Sequence, residues 1–379
     1  MRRVGGKEWR KCRRRPARAR FAVMGIQNGK FRAECGGPMV FVPDKGGLLC
    51  SYCDHLLSMA GETESKEKLD LHQAEYIENF SWGETQKQVI CGACGAQTIY
   101  DALETSGVCP YCGSHQVTEE AVDTSVPPTS VVPFTITRNV ADIIFRYWIK
   151  EQEFSPLAVQ KEVQAETFKG IYLPFWSFDA RAVSIYYGRY EKNRTERDAQ
   201  GNPHTVSGWY TIRGTFSNFV KNVLVLASIR HDEKTIAELE PFDLAEAKPY
   251  LPEYLAGFMS ERYSVGTDEG WKRGRTRMDE LMNKQIQEEI KKSYGANSVR
   301  SQQVKTGYSN VAYKYMLLPV WMLSFRYRKQ IYRVMINGQT GKVVGNAPVS
   351  RFRVAVAWLL VLLGLAPILT LYVLAAIAS

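Results

Sequence analysis

Apolar residues recur at helical spacing in two stretches of the chain. In residues 139–152 they are Val140, Ile143, Ile144, Tyr147 and Trp148. In residues 275–294 they are Met278, Leu281, Met282, Ile286 and Ile290. Each set forms one apolar stripe on a helix, so both segments are predicted to be amphipathic helices. Gly295 follows the second stretch and can end its helix.

Two aromatic-rich segments, residues 170–190 and 313–338, follow these helices and predict strands. The turn Asn337–Gly341 then leads into a short predicted strand, Lys342–Val344. Tyr172–Trp176 (YLPFW) matches Leu317–Trp321 (LLPVW) at an offset of 145 residues. We interpret this likeness as an internal duplication of a helix and an antiparallel sheet within residues 134–348. The proline inside each strand predicts an edge or a bend there.

The C-terminal segment is uniformly apolar, with 25 consecutive uncharged residues from Val354 to Ala378. As a helix it would span about 37 Å, against about 30 Å of bilayer hydrocarbon. We therefore predict a single transmembrane helix at residues 354–378, in preference to a buried core helix or a hairpin broken at Pro367. Arg351 and Arg353 precede it, so the positive-inside rule predicts a single-pass membrane protein with its N-terminal bulk in the cytoplasm.

The net charge of +10 is concentrated at the N-terminus. Residues 1–20 contain ten Lys or Arg and one Glu, so the remainder is close to neutral. This balance gives no general argument for nucleic-acid binding. Residues 1–23 are interpreted as a basic disordered tail. There are two alternatives: translation starts at Met24, or the segment is a basic arm that binds anionic lipid or nucleic acid.

The cysteine pattern carries the clearest chemistry. Cys91 and Cys94, then Cys109 and Cys112, form two CxxC pairs, each followed by glycine, which is the spacing of a zinc ribbon at residues 90–118. Two such pairs bring four thiolates around one Zn²⁺. A redox pair or a disulfide would need a thioredoxin-like context or an oxidising compartment, and the sequence indicates neither.

An incomplete copy of this ribbon lies earlier in the chain. Its cysteines, each 59 residues before a cysteine of the complete ribbon, are Cys35, Cys50 and Cys53. Arg32 stands where the fourth cysteine would be. Residues 30–58 are therefore predicted to be a degenerate ribbon with three thiolate ligands, in which His55 is a candidate fourth ligand. The sequence leaves open whether this ribbon holds Zn²⁺.

The remaining segments connect these units. Residues 59–89 are acidic with apolar residues at helical spacing, which predicts a helical connector. Residues 119–133 are rich in Pro, Ser and Thr and are interpreted as a linker. The patterns together predict an α+β protein with tandem zinc ribbons of small β type, a duplicated helix-plus-antiparallel-sheet domain and one C-terminal transmembrane helix.

The ribbons favour contact with protein and disfavour nucleic acid. Residues 91–118 contain no Lys or Arg, and four thiolates around Zn²⁺ leave a negative centre, so phosphate groups have little to bind there. The sequence shows no catalytic motif, and no catalytic residue is assigned. The LPxW elements are interpreted first as core. The alternative is a ligand groove lined by Tyr172, Trp176 and Trp321.

Several motifs together resemble one bacterial family. They are the tandem ribbons, YLPFWSFDA, LLPVWMLSFRY and VMINGQTGKVVGNAP ahead of the apolar C-terminus. The family consists of uncharacterised membrane proteins described as TFIIB-type zinc-ribbon-containing, some of them labelled primosomal helicase-like. The resemblance implies a location in the bacterial cytoplasmic membrane and partners of the flotillin-like or phage-shock type. It also implies four cysteines in the first ribbon, which Arg32 does not fit. Helicase activity is excluded, because the chain has no Walker A lysine loop.

These observations favour a zinc-ribbon adaptor that is tethered to the membrane, binds protein partners and catalyses no reaction. One alternative is a nucleic-acid-associated ribbon protein of the replication or transcription type, which would use the basic tail. Another is a membrane-anchored ligand sensor or enzyme built on the LPxW elements.

Overall fold

The computed structural model describes residues 26–27, 30–31, 33–59, 69–70, 86–90, 97–101, 119–121, 128–156, 159, 168–327, 330–350, 353–356, 359, 361–362 and 364–365. The α-helices are α1 (Arg138–Glu151), α2 (Glu233–Ala237) and α3 (Thr267–Tyr294). The strands are β1 (Ile26–Gln27), β2 (Lys30–Phe31), β3 (Met39–Val42), β4 (Gly47–Cys50), β5 (Leu56–Ser58), β6 (Leu69–Asp70), β7 (Gln86–Ile90), β8 (Gln97–Asp101), β9 (Glu119–Ala121), β10 (Ser130–Val131), β11 (Lys169–Arg197), β12 (Pro203–Leu226), β13 (Lys248–Pro249), β14 (Met259–Ser260), β15 (Ser298–Tyr327), β16 (Gln330–Asn337) and β17 (Val343–Gly345).

The main sheet contains two copies of one pattern: a short strand, a helix, a very long strand and a returning strand. The first copy is β10–α1–β11–β12 and the second is β14–α3–β15–β16. The long strands β11 and β15 lie side by side and antiparallel, with Leu173 opposite Leu318. Each short strand pairs in parallel with the long strand of the other copy, β10 with β15 and β14 with β11. The two copies are therefore interlocked in a single sheet.

The two LPxW elements lie at the centre of this sheet. Of the two positions predicted for their prolines, an edge or a bend, the edge is therefore wrong. Pro174 falls between the end of the β14 pairing at Tyr172 and the start of the β12 pairing at Phe175. Pro319 falls in the same way between the β10 and β16 pairings of β15. Each proline thus occupies a gap between two neighbouring strands, where its missing N–H costs least.

Beyond the LPxW elements, β11, β12 and β15 continue as a long three-stranded arm. Apart from the register shifts near Asp179 and at Tyr187/Gly188, side chains alternate between its two faces, as the pleat requires. Ala182, Ser184 and Ile212 are buried on the face toward α3, whereas the alternate residues of the same strands are exposed. α3 contributes buried residues at every fourth position to this packing, and the last two are Ile286 and Ile290.

The helix predicted over residues 139–152 is confirmed as α1, but the face expected to be buried is wrong. Its buried residues are Ala141, Phe145 and Ile149, whereas Tyr147 is 67% exposed and Ile143 is 52% exposed. The helix predicted over residues 275–294 is confirmed and starts earlier, at Thr267. It ends as predicted at a left-handed Gly295, with φ of 62°.

Two predicted connectors are partly strand. Within the predicted helical connector, Leu69–Asp70 forms β6, which pairs with β15, and residues 71–85 lie outside the described residues. Within the predicted linker, Ser130–Val131 forms β10, and Val131 and Val132 are fully buried. The Pro-rich composition therefore predicts a linker where the chain forms a strand of the main sheet. Residues 1–23 also lie outside the described residues.

The predicted α+β fold class is wrong, because the described chain is mostly β-sheet with few helices. Residues 353–356 are helical. Within the described residues, however, no helix has the length and apolar character needed to cross a bilayer. On this finding, the prediction of a transmembrane helix at residues 354–378 is wrong. The bilayer anchor and the single-pass localisation that depended on it are wrong as well. Residues 366–379 lie outside the described part.

Candidate metal centre

Three cysteines of the first ribbon converge at one end of the small sheet β3–β4–β5. Cys35 precedes β3, Cys50 ends β4 and Cys53 lies just before β5. Their sulfur atoms all lie within 4.8 Å of one another, and those of Cys35 and Cys50 are 3.5 Å apart. Thiolates this close are the donor set that soft and borderline metal ions prefer. This three-cysteine group could hold a metal ion.

Glycines allow the backbone to pass close to the sulfur atoms. Gly36 has a φ of 78°, so the chain turns back directly after Cys35. At Gly37, a Cβ atom would lie 2.8 Å from the Cys50 Sγ, which no larger residue can accommodate without a shift. The Gly37 N–H donates to the Cys35 Sγ at 3.4 Å. This tight turn holds the Cys35 sulfur in place.

The thiols of Cys50 and Cys53 differ in acidity. Burial favours the neutral form of the Cys50 thiol, but hydrogen bonds from the backbone of Tyr52 and Cys53 lower its pKa below the usual 9.0. Hydrogen bonding to Cys35 raises the pKa of the Cys53 thiol to about 11. A metal ion that binds all three sulfurs must therefore displace protons from the group.

The predicted fourth ligand, His55, is not part of this group. It is exposed, and its backbone carbonyl instead accepts a hydrogen bond from the Cys50 N–H at 3.0 Å. Among the described residues, the group consists of Cys35, Cys50 and Cys53 alone. The structure thus brings together three of the four ligands proposed for the first ribbon.

The four cysteines of the second ribbon, Cys91, Cys94, Cys109 and Cys112, lie outside the described residues. The strands around them are described. β7 and β8 pair antiparallel and flank the first CxxC pair, and β9 pairs with β7 after the second. β8 covers positions 59 residues after β3, in line with the repeat seen in the sequence.

Tyr172, Trp176 and Trp321 lie in the core, which was the first interpretation of the LPxW elements, and they do not line the groove that was the alternative. Tyr172 is 0% exposed and both tryptophans are 3% exposed. The Trp176 Nε1 donates to the Val265 carbonyl and the Trp321 Nε1 to the Ile136 carbonyl, each at 2.8 Å. Burial also raises the pKa of the Tyr172 phenol. These side chains belong to the core, where the two indole N–H groups bond to the backbone of neighbouring segments.

A buried charged cluster was missed by sequence reasoning. Glu261 is 0% exposed and accepts hydrogen bonds from Ser228 Oγ at 2.5 Å and Arg230 Nη1 at 2.9 Å. The His231 Nε2 lies 3.3 Å from its other carboxylate oxygen. Arg230 and His231 also line a cavity of about 590 Å³. The partners are about 30 positions apart in sequence, so no local spacing could have indicated them.

The ribbon is fixed to the main domain. The Phe41 N–H donates to the Ala256 carbonyl at 3.0 Å, and the rings of Phe41 and Tyr254 lie 5.3 Å apart edge to face. Phe41, Leu48 and Cys50 share one apolar cluster with Tyr254 and the central sheet. A metal ion on the three cysteines would therefore stabilise a unit that is part of the core.

No protein-family model and no solved structure matches the chain. The resemblance to TFIIB-type zinc-ribbon membrane proteins thus gains no support from these comparisons, and the membrane and TFIIB-type labels are not retained. The chain is 30% identical over 327 residues to the uncharacterised protein YdjG of Bacillus subtilis (strain 168), a match that covers 86% of this chain and 91% of YdjG. With this identity and coverage, the chain belongs to the YdjG family.

Proposed function

We propose that the protein is a non-catalytic scaffold whose first ribbon holds Zn²⁺ and binds a protein partner. The observation that carries the proposal is the convergence of the three sulfur atoms within 4.8 Å. Zn²⁺ accepts thiolate ligands at about 2.3 Å and takes four ligands in structural sites. The fourth position on this ion would be filled from outside the three-cysteine group.

The surface next to the cysteines supports the binding role. Tyr52 lies between Cys50 and Cys53 and is 75% exposed, and Leu56 follows at 43% exposure. Exposed tyrosine is a residue type enriched in protein interfaces, because it buries a large area with few rotatable bonds. The metal would fix the turn that presents it.

The zinc content of the purified full-length protein tests the metal site. Two ribbons predict two Zn²⁺ per chain, and Cys50→Ser should remove one of them, because a buried sulfur of the site is lost. Cys12→Ser is the matched control, since it removes a cysteine that belongs to neither ribbon, and it should retain both ions. An unchanged zinc content in Cys50→Ser would contradict the proposal.

The partner site is tested by replacing Tyr52 with a photo-crosslinking amino acid in cells of the native host. We expect a discrete protein adduct that disappears when Cys50→Ser is added, because the turn then loses its metal. Tyr147, which is 67% exposed on α1, provides the control position. Equal adducts from both positions, or an adduct at position 52 that survives Cys50→Ser, would refute binding through the ribbon.

A further inference from the structure

The arm has one face that α3 does not cover, and this surface is called the basic face below. The registers of β11, β12 and β15 assign to it Arg181, Val183, Ile185, Tyr187, Arg189, Thr211, Arg213, Thr215, Ser217, Phe219, Gln303, Lys305, Gly307 and Ser309. All of these residues are exposed, Ile185 by 68%. These residues include four cations and no carboxylate, and the next positions along the face add Arg300, Trp209 and the carboxylate of Glu191. The charge of the face therefore differs sharply from the near-neutral average of the chain beyond its N-terminus.

Two arginines on this face stand directly opposite each other. Arg189 of β11 pairs with Arg300 of β15, and both are exposed. Like charges at directly opposed positions destabilise a sheet. Glu191 lies two residues further along β11, where its carboxylate accepts a hydrogen bond from the Ser207 hydroxyl. The arrangement leaves an excess of positive charge along the face, which a bound anion would relieve.

Exposed aromatic rings lie among these cations. Tyr187 is 43% exposed, Phe219 45% and Trp209 36%. The Arg300 guanidinium lies 4.9 Å from the centre of the Trp209 ring, and the Lys221 ammonium lies 5.4 Å from that of Phe219. Aromatic rings and guanidinium planes are the groups on which unpaired bases stack.

We propose that the basic face binds single-stranded nucleic acid. Eight residues separate Arg181 from Arg189, a distance of about 26 Å along the strand, which leaves room for several nucleotides. A duplex keeps the faces of its bases stacked inside, so the exposed rings of this face can stack only on unpaired bases. These rings give unpaired bases a contact that an acidic polypeptide would not use. This proposal is independent of the zinc site.

The binding of fluorescent oligothymidylate to the full-length protein, followed by anisotropy, tests the charge on this face. At 0.1 M salt each phosphate contact on a single strand contributes roughly fivefold to affinity. Arg189→Gln combined with Arg213→Gln should therefore weaken binding by about 25-fold and lower the salt slope by about 1.4. Lys284→Gln with Lys291→Gln, which removes two exposed cations from α3, is the matched control and should change little. The N-terminal tail is present in every variant, so its contribution cancels.

Stacking is tested separately with Tyr187→Ser. Loss of one stacked base should weaken binding roughly tenfold without a change in the salt slope, whereas Tyr147→Ser on α1 should have no effect. Circular dichroism confirms that each variant folds. Three results would each overturn the proposal: equal affinity of the two double variants, equal affinity for a duplex of the same length, and equally effective competition by polyglutamate, which would indicate an acidic protein ligand.

Discussion

Asn337 is the residue on which the junction between the two copies of the repeat depends most directly. It ends β16, is 0% exposed, and uses all of its hydrogen-bonding capacity. Its Nδ2 donates to the carbonyls of Leu239 at 2.9 Å and Pro241 at 3.1 Å, in the segment that joins the two copies. Its Oδ1 accepts from the N–H groups of Gln339 at 2.9 Å and Thr340 at 3.0 Å.

Asn337→Ala removes these four hydrogen bonds and leaves two carbonyls and two N–H groups without that partner. Each bond contributes about 1 kcal/mol net, so the free energy of unfolding should fall by about 4 kcal/mol. For a domain of this size, 1 kcal/mol corresponds to about 2–4 °C in Tm, so Tm should fall by about 8–16 °C. Asn346→Ala, at an exposed position, is the control and should stay within about 0.5 kcal/mol of the unmodified protein.

Asn337→Asp distinguishes the two hydrogen bonds that the side chain donates from the two that it accepts. The carboxylate keeps an acceptor for the turn but places its second oxygen against two carbonyls. Burial and the carbonyl dipoles favour the neutral acid, so the pKa of the new carboxyl is raised in the folded state. The variant should be most stable below about pH 3.9, the unfolded value, and should lose stability as pH rises through the folded pKa. Urea unfolding at several pH values measures this trend. A pH-independent difference, or a loss under about 1 kcal/mol in Asn337→Ala, would refute the reasoning.

Two further predictions concern single residues of the main domain. Gly270→Ala should lower Tm although alanine favours helices, because its Cβ would lie 2.6 Å from the Trp176 ring, and overpacking costs about 1–3 kcal/mol; an unchanged or higher Tm would show that the ring can move. Asp232 caps α2, and its hydrogen bonds to Thr235 hold the pKa of its carboxyl below 3.8. The stability that the ionised Asp232 carboxylate provides is fully present above pH 3.8 and is lost as pH falls through the lowered pKa. The Tm difference between the unmodified protein and Asp232→Ala should therefore shrink in acid. A difference that is constant from neutral pH into acid would contradict it.

The helices show what periodicity can and cannot establish. α1 carries apolar residues on more than one side, so the pattern predicts a helix but does not identify its buried face. The structure buries Phe145 and Ile149 and exposes Ile143 and Tyr147. That choice depends on the sheet beneath the helix, which the local sequence does not contain. In α3 the stripe at every fourth residue is unambiguous, and only Leu281, at 42% exposure, departs from it.

The cysteine group was accessible to sequence reasoning because its ligands are close in the chain. The spacing of Cys35, Cys50 and Cys53 was enough to bring their sulfurs together in the prediction, and the structure does so. The prediction that His55 joins the group is wrong, because its position two residues after Cys53 does not determine where its side chain points. The charge on the arm was missed for another reason: summing charge over the chain hides its segregation onto one face of a sheet.

The topology also changes how the ribbons relate to the rest of the molecule. In the first copy of the repeat the outer side of β10 is paired with β13, whereas in the second copy the outer side of β14 is paired with β8, which lies in the segment predicted to be the second ribbon. The ribbon strand therefore covers a sheet edge that would otherwise present unpaired backbone groups. The first ribbon contacts the same region through Phe41 and Ala256. Both segments thus attach beside β14, so a metal ion bound in either of them would stabilise the central sheet, as it would not if the segments were modules on a flexible linker.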